Sequence, residues 1–193
     1  MMTMGVQFDI KKVPLDLTRK THVEIGSGKG QFITALAKDY PEIQFVAIEK
    51  DIDVCYRIAE KKIAFDLQNL WILNLDATHL EELFEPNAID TIYLNFSDPW
   101  PKTKHHKRRL SAEKFVNIYK ALLKNEGFIQ LRTDHYDFFI DSKETLGLGF
   151  DIIDVNLDYP ITPYMTEYEE KKRAFGPIYQ LRGKRKHDSS TLS

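Results

Sequence analysis

Short apolar runs alternate with segments of helical periodicity along this chain, and that alternation constrains its fold more than any other feature. Val23-Glu24-Ile25 runs into the glycine turn Gly26 to Gly30, after which Phe32, Ile33, Leu36 and Ala37 recur at helical spacing. Phe45 to Ile48 is a second run, followed by a helical pattern over 52–66 with Ile52, Cys55, Ile58, Ala59 and Ile63 on one face. Leu70 to Leu75 gives a third strand, and Leu80, Leu83 and Phe84 mark a short helix after it. Ile89 to Leu94 is the fourth. Ser111 is placed to cap a helix that turns Phe115, Ile118 and Leu122 inward and closes at Asn125-Glu126-Gly127. Phe128 to Leu131, Phe150 to Val155 and Ile178 to Leu181 complete seven strands, with a further helix over 135–146.

Regular alternation of this kind predicts an α/β fold, a mostly parallel Rossmann-like sheet with helices on both faces. Right-handed crossovers then set the ends of the first five strands along one edge. Gly26 to Gly30, Glu49, Asp76, Asp98 and Asp134, distant in sequence, would meet in the crevice beyond that edge.

The length of 193 residues suits a single domain over 1–193, with a short N-terminal extension over 1–20 and a polar, disordered tail over 184–193. The formal net charge of −2 gives no general affinity for polyanions. The cations are instead clustered, at 102–109, at Lys171-Lys172-Arg173 and at Lys184-Arg185-Lys186. Screening within roughly 8–10 Å makes such local patches matter more than the sum. A lone cysteine, Cys55, rules out an internal disulfide and suits a reducing compartment. The first residues lack the basic and apolar regions of a signal peptide, and no apolar run approaches membrane-spanning length. The expectation is a soluble, cytoplasmic protein with no membrane partner.

The strand ends are where chemistry is expected. Gly26-Ser27-Gly28-Lys29-Gly30 lets backbone pass close to a ligand and turn into a helix N-terminus. A dinucleotide fingerprint would carry its third glycine one place later, where this chain has Gln31. Taken alone, the turn is equally a tight strand-to-helix connection. Glu49, about twenty residues on, is placed to accept ribose hydroxyls, against a solvated Glu49-Lys50-Asp51 turn. Asp76 can accept from an adenine amino group or cap the helix behind it.

Ser97-Asp98-Pro99-Trp100-Pro101-Lys102 is the sharpest motif: a strand end carrying one carboxylate and one large aromatic, stiffened by two prolines that cannot donate hydrogen bonds. Five of the residues from Lys102 to Arg109 are cations, which points to a phosphate-bearing partner. One cysteine and the adjacent pair His105 and His106 do not make a zinc site.

At these residues the chain resembles the bacterial tRNA (guanine-N7)-methyltransferases, within the class I S-adenosylmethionine-dependent methyltransferases. The likeness runs through Val23-Glu24-Ile25-Gly26-Ser27-Gly28-Lys29-Gly30, Glu49-Lys50-Asp51, Asn74-Leu75-Asp76-Ala77 and Phe96-Ser97-Asp98-Pro99-Trp100-Pro101-Lys102. It continues in His106-Lys107-Arg108-Arg109-Leu110, Arg132-Thr133-Asp134-His135 and Thr166-Glu167-Tyr168-Glu169. The resemblance implies an antiparallel strand near the C-terminus, S-adenosyl-L-methionine as cofactor with no metal, and tRNA as partner. It leaves monomer and homodimer open.

By resemblance, Glu24, Gly26, Gly28, Gly30, Glu49, Asp76 and Asp98 would hold the cofactor, and Asp98 would be catalytic. Lys102, Asp134, Thr166, Tyr168 and Glu169 would hold the tRNA substrate, with Lys104, Lys107, Arg108 and Arg109 on its phosphates. Trp100 and Tyr168 are candidates for stacking on an extruded base. Other readings stay open for some of these residues. Thr166-x-x-Glu169 is also a capping box, Asp134 can cap the helix behind it, and Lys171-Lys172-Arg173 reads as a solvated face. Rival functions are a nicotinamide-dependent oxidoreductase, a methyltransferase of another RNA, a protein or a small molecule, and a catalytically silent RNA-binding relative.

Overall fold

The computed structural model describes residues 4–187. The chain runs β1 (Val6–Gln7), β2 (Thr21–Ile25), α1 (Gln31–Asp39), β3 (Gln44–Ile48), α2 (Ile52–Ala64) and β4 (Leu70–Leu73). A short 3-10 turn leads into α3 (Leu80–Leu83), followed by β5 (Ile89–Asn95), α4 (Glu113–Leu122), β6 (Leu123–Thr133) and α5 (Tyr136–Leu146). The chain ends in β7 (Phe150–Asn156), α6 (Glu167–Lys172) and β8 (Tyr179–Arg185). One sheet contains every strand, in the order β1-β4-β3-β2-β5-β6-β8-β7. Neighbours are parallel except at β8, which runs antiparallel to both β6 and β7.

Side-chain alternation along the strands divides the core into two layers. Phe45, Ala47, Leu70 and Ile72 face Phe32, Ile33, Leu36, Cys55 and Ile58 of α1 and α2. Val23, Val46, Ile48, Ile92 and Leu131 face Leu80, Phe115, Tyr119, Phe138 and Phe139 of α3, α4 and α5. Each Val, Leu, Ile or Phe among them, fully buried, contributes about 1.5–3 kcal/mol.

The sheet has eight strands rather than the seven expected. The added strand, β1, pairs Val6 with Ile72 and Gln7 with Leu73, and two residues are too few to show periodicity. Ser111 does not cap α4: Ala112 occupies the cap position, without a side-chain bond. Ser111 is buried instead, its hydroxyl 2.7 Å from that of Ser142 on α5. Asn125-Glu126-Gly127 is no helix stop but part of the irregular start of β6, where Leu123 pairs with Ile89 before the register shifts. Lys184 and Arg185, expected in a disordered tail, complete β8 opposite Phe128 and Phe150, and Arg185 is anchored on Asn87 and the Leu123 carbonyl. The rest of that expected tail, from residue 188, lies outside the described residues, as do residues 1–3 of the N-terminal extension.

Between β7 and β8 the chain leaves the sheet and carries α6 back over the end of β6. Thr166 starts α6 by accepting from the Glu169 amide at 2.9 Å, the first half of a capping box. The Glu169 side chain turns inward and is fully buried. Its carboxylate meets Arg132 of β6 at 3.3 Å and also pairs with Arg173. Arg132 further donates to Gln180 Oε1 and to the Tyr164 carbonyl, each at 2.9 Å. Removing Glu169 would leave two cations with little water around them. Glu169→Ala is expected to lower the unfolding free energy by about 3–5 kcal/mol, read by urea titration. Glu170→Ala, one exposed residue on, is expected to change it by under about 1 kcal/mol; equal losses would contradict the assignment.

Candidate active site

Beyond the carboxyl ends of β2 to β5 lies a cavity of about 530 Å³, lined among others by Ile25, Gly26, Gly28, Glu49, Asp76, Phe96, Asp98, Trp100, Arg108, Lys114 and Phe115. That volume falls within the roughly 300–1,000 Å³ of small-molecule sites. Seven residues expected at the site line it: Gly26, Gly28, Glu49, Asp76, Asp98, Trp100 and Arg108. Glu24 and Gly30 do not. Lys102, Lys104 and Lys107 are exposed outside it, while Asp134, Thr166, Tyr168 and Glu169 gather around α6.

The glycine turn has left-handed backbone, with φ of 51° at Gly28 and 77° at Gly30. A Cβ on Gly28 would meet nothing within 4 Å, so the turn presents bare backbone to the cavity. A Cβ on Gly30 would come within 2.9 Å of Ile58, so this glycine serves the close packing of α1 on α2. Glu49 closes the turn from the next strand, its carboxylate accepting from the Gly28 amide at 3.0 Å and the Asp51 amide at 3.1 Å. A carboxylate has four lone-pair sites, so Glu49 retains capacity for hydroxyl donors. Asp76 accepts from the Thr78 amide at 2.9 Å and thus does cap the following turn while lining the cavity. Burial alone would raise its pKa, but hydrogen bonds from Thr78 and the nearby charges of Lys50 and His79 hold it below the ordinary value.

Glu24 lies one residue behind cavity-lining Ile25 and has no solvent exposure. One carboxylate oxygen accepts from Asn95 Nδ2 at 2.8 Å across the β2–β5 pairing. The other oxygen, the Asn95 Oδ1 and the Ser97 hydroxyl are buried without a protein partner among the described residues. Burial pushes the Glu24 pKa up to about 8, against the hydrogen bond from Asn95. With that pKa the ligand-free Glu24 is a neutral acid at pH 7, and a cationic ligand group beside it would favour the ionised form.

The Asp98 loop is strained at both ends, with φ of 52° at Phe96 and 41° at Trp100. Such conformations cost of order 1–3 kcal/mol each away from glycine and persist where the surroundings enforce them. Asp98 itself is exposed and makes no hydrogen bond or ion pair among the described residues, leaving its carboxylate open to the cavity. Trp100 stands edge-on to His105, with ring centroids 5.7 Å apart, and the Arg108 guanidinium lies 5.1 Å from its ring. The basic run is a 3-10 turn over Thr103–Arg108 on which Lys104, Lys107 and Arg108 are exposed. Arg109 departs from the expected phosphate contact. It is only 7% exposed, and its guanidinium is taken up by protein groups. Lys114 was not foreseen. It lines the cavity from the first turn of α4, where a cation opposes the helix dipole. That local conflict was its one signal in the sequence.

A second cluster borders the first. Asp134 does not cap α5, since the His135 amide donates to the Thr133 hydroxyl at 3.1 Å. It pairs instead with Lys172 at 3.3 Å and lies 3.5 Å from the Tyr168 hydroxyl. Lys171 is a solvated cation as expected, but Lys172 and Arg173 are both engaged by carboxylates. The Tyr168 ring packs 5.2 Å from Phe96, which lines the cavity. Helix α6 also reaches the glycine turn: Lys61 bonds both the Lys29 carbonyl and Glu167, and Gln31 donates to Glu170 at 2.7 Å. Among the described residues no group of three or more His, Cys, Asp or Glu side chains is arranged to hold a metal, and no helix is long and apolar enough to cross a membrane.

A family profile described as putative methyltransferase matches residues 18–180. The tRNA (guanine-N(7)-)-methyltransferase of Macrococcus caseolyticus is 43% identical over 161 residues, covering 81% of this chain and 77% of that protein. The enzyme of the same name from Lachnoclostridium phytofermentans is 43% identical over 167 residues, covering 83% and 78%. Among solved structures, the 16S rRNA methyltransferase KamB superposes with a TM-score of 0.68 over 87% of this chain and 88% of that one, at 15% identity, which shows the class I fold alone. By sequence match, fold and rim, this chain belongs to the tRNA (guanine-N7)-methyltransferase family.

Proposed function

We propose that this protein is a soluble, cytoplasmic enzyme that methylates N7 of a guanine in the variable loop of tRNA, at position 46, using S-adenosyl-L-methionine. The products are 7-methylguanosine and S-adenosyl-L-homocysteine. The observation that carries the reading is the Asp98 carboxylate, held without a protein partner in the same cavity as Gly28, Glu49 and Asp76 and beside an exposed basic turn. Bound S-adenosylmethionine supplies an electrophilic methyl group on a cationic sulfur. Gly26 and Gly28 would receive it along bare backbone, Glu49 would accept from its ribose and Asp76 from its adenine. Glu24 and Asn95, one residue behind the rim, would answer its cationic amino-acid end, which would in turn favour the ionised Glu24 carboxylate.

Guanine N7 already presents an in-plane lone pair, so no side chain has to remove a proton before transfer. The work of the site is alignment and electrostatics. Fixing the two reactants in line is worth up to roughly 7–11 kcal/mol in the best cases. Asp98 adds a fixed negative charge beside the positive charge that moves from sulfur to the base. Trp100 and Tyr168 offer aromatic faces to an extruded guanine, and Asp134 an acceptor for its N1 and N2 hydrogens. Lys104, Lys107 and Arg108 face solvent where phosphates would lie, and Lys102 borders them.

Incubation of bulk tRNA with labelled S-adenosylmethionine, followed by nucleoside analysis, is expected to yield 7-methylguanosine; label on any other nucleoside refutes the substrate. Asp98→Ala is expected to cut turnover by about 100-fold or more, and a loss under about threefold would remove Asp98 from the chemistry. The double variant Lys104→Ala/Lys107→Ala is expected to flatten the salt dependence of tRNA affinity. The slope of log affinity on log salt should change by roughly 1.4–1.8, two phosphates' worth; an unchanged slope removes these lysines from the interface. Glu24 makes a prediction of the ligand-free protein. Its folded pKa near 8 exceeds its unfolded value, so its contribution to stability is full below about pH 4.5 and is lost as pH rises towards 8. Measured against Glu24→Gln, which cancels other titrating groups, wild-type stability should therefore fall between pH 5 and pH 8, within about that window. A difference constant with pH would contradict it.

A further inference from the structure

Arg109 closes a run of exposed cations, yet its side chain is 8% exposed. Its Nε donates to the Pro99 carbonyl at 2.7 Å, and one terminal nitrogen lies 3.4 Å from the Trp100 carbonyl. That same nitrogen donates to His106 Nε2 at 2.9 Å. The other terminal nitrogen meets Asp141 of α5 at 2.8 Å, and the guanidinium lies 5.2 Å from the centroid of the Phe138 ring. Each of its three nitrogens is engaged by a protein acceptor.

The two carbonyls it reaches belong to the peptide groups on either side of Trp100, the residue with left-handed backbone. Pro99 and Pro101 bring no amide hydrogens, and residues 97–101 make no backbone–backbone hydrogen bond. The loop that presents Asp98 is therefore fixed from outside itself. Asp141 and Phe138 are both on α5, whose inner face is packed in the main core, so the support is rigid.

We infer that Arg109 is a positioning residue: by clamping the Pro99 and Trp100 carbonyls to α5 it holds the Asp98 carboxylate and the Trp100 ring in their working geometry. A lysine in its place could reach one of these partners but not three diverging ones. The catalytic consequence rests on the methyl-transfer reading of Asp98, whereas the clamp itself does not.

The test uses the full chain and compares Arg109→Lys and Asp141→Asn with wild type. Four quantities are read: kcat, KM for tRNA, the salt slope of tRNA affinity, and acrylamide quenching of tryptophan emission without ligands. Trp71 is also partly buried, so quenching is read in a Trp71→Phe background, where Trp100 is the sole tryptophan. For Arg109→Lys, kcat should fall about 100-fold, the order of loss for a misplaced group. For Asp141→Asn the fall should be about tenfold, from one weakened charge-assisted contact. KM should stay within about threefold, the salt slope should not move, and quenching should rise in both variants.

A slope reduced by about 0.7–0.9 with kcat intact would make Arg109 a phosphate contact and overturn the inference. Retention of kcat within about threefold would overturn it too. If the wild-type protein methylates no tRNA, the proposed function fails, and the quenching arm alone decides the clamp: unchanged quenching refutes it. Should Arg109→Lys fail to fold, Asp141→Asn carries the same outcomes from a side chain that is 49% exposed.

Discussion

The pairing of β2 with β5 is the constraint from which the rest of the molecule follows. The chain winds outwards from β2 through β3 and β4 on one side, and from β5 through β6 on the other. Where the two windings part, the connections after β2 and β5 must diverge, and a crevice opens beyond their carboxyl ends. The glycine turn leaves from one lip and the Asp98 loop from the other. Glu24 and Asn95 meet across the seam itself, so a polar pair sits where the two halves of the cavity join.

Much of this was legible in the sequence, because buried parallel strands and amphipathic helices announce themselves by period. Strand ends are also easy to locate, and acidic residues there converge once crossover handedness is granted. What escaped the reading were features set by contacts between distant segments. The two residues of β1 become a strand only through their pairing with β4. The Ser111 hydroxyl finds Ser142 instead of its own helix. Arg109 looked like its neighbours because one-dimensional charge cannot tell a cation that faces solvent from one that turns under a loop. Nor can it tell that Glu169 turns inward to pair with Arg132 and Arg173.

Charge is used in this protein in two different ways. On the 3-10 turn after Lys102 the cations stand in water, where each is worth little alone and where salt controls their collective effect. Inside, Arg132, Arg173 and Glu169 form a cluster shielded from salt, whose value lies in geometry more than in net stabilisation. The same residue types thus serve reach on the outside and registration on the inside.

Helix α6 is six residues long, yet it is tied at one end to the glycine turn and at the other to Asp134. A segment stitched to both compartments cannot drift in sequence for the benefit of one alone. Replacing Glu167 would loosen the tie to the glycine turn and replacing Lys172 the tie to Asp134, and across six residues of helix each change is felt at the other end.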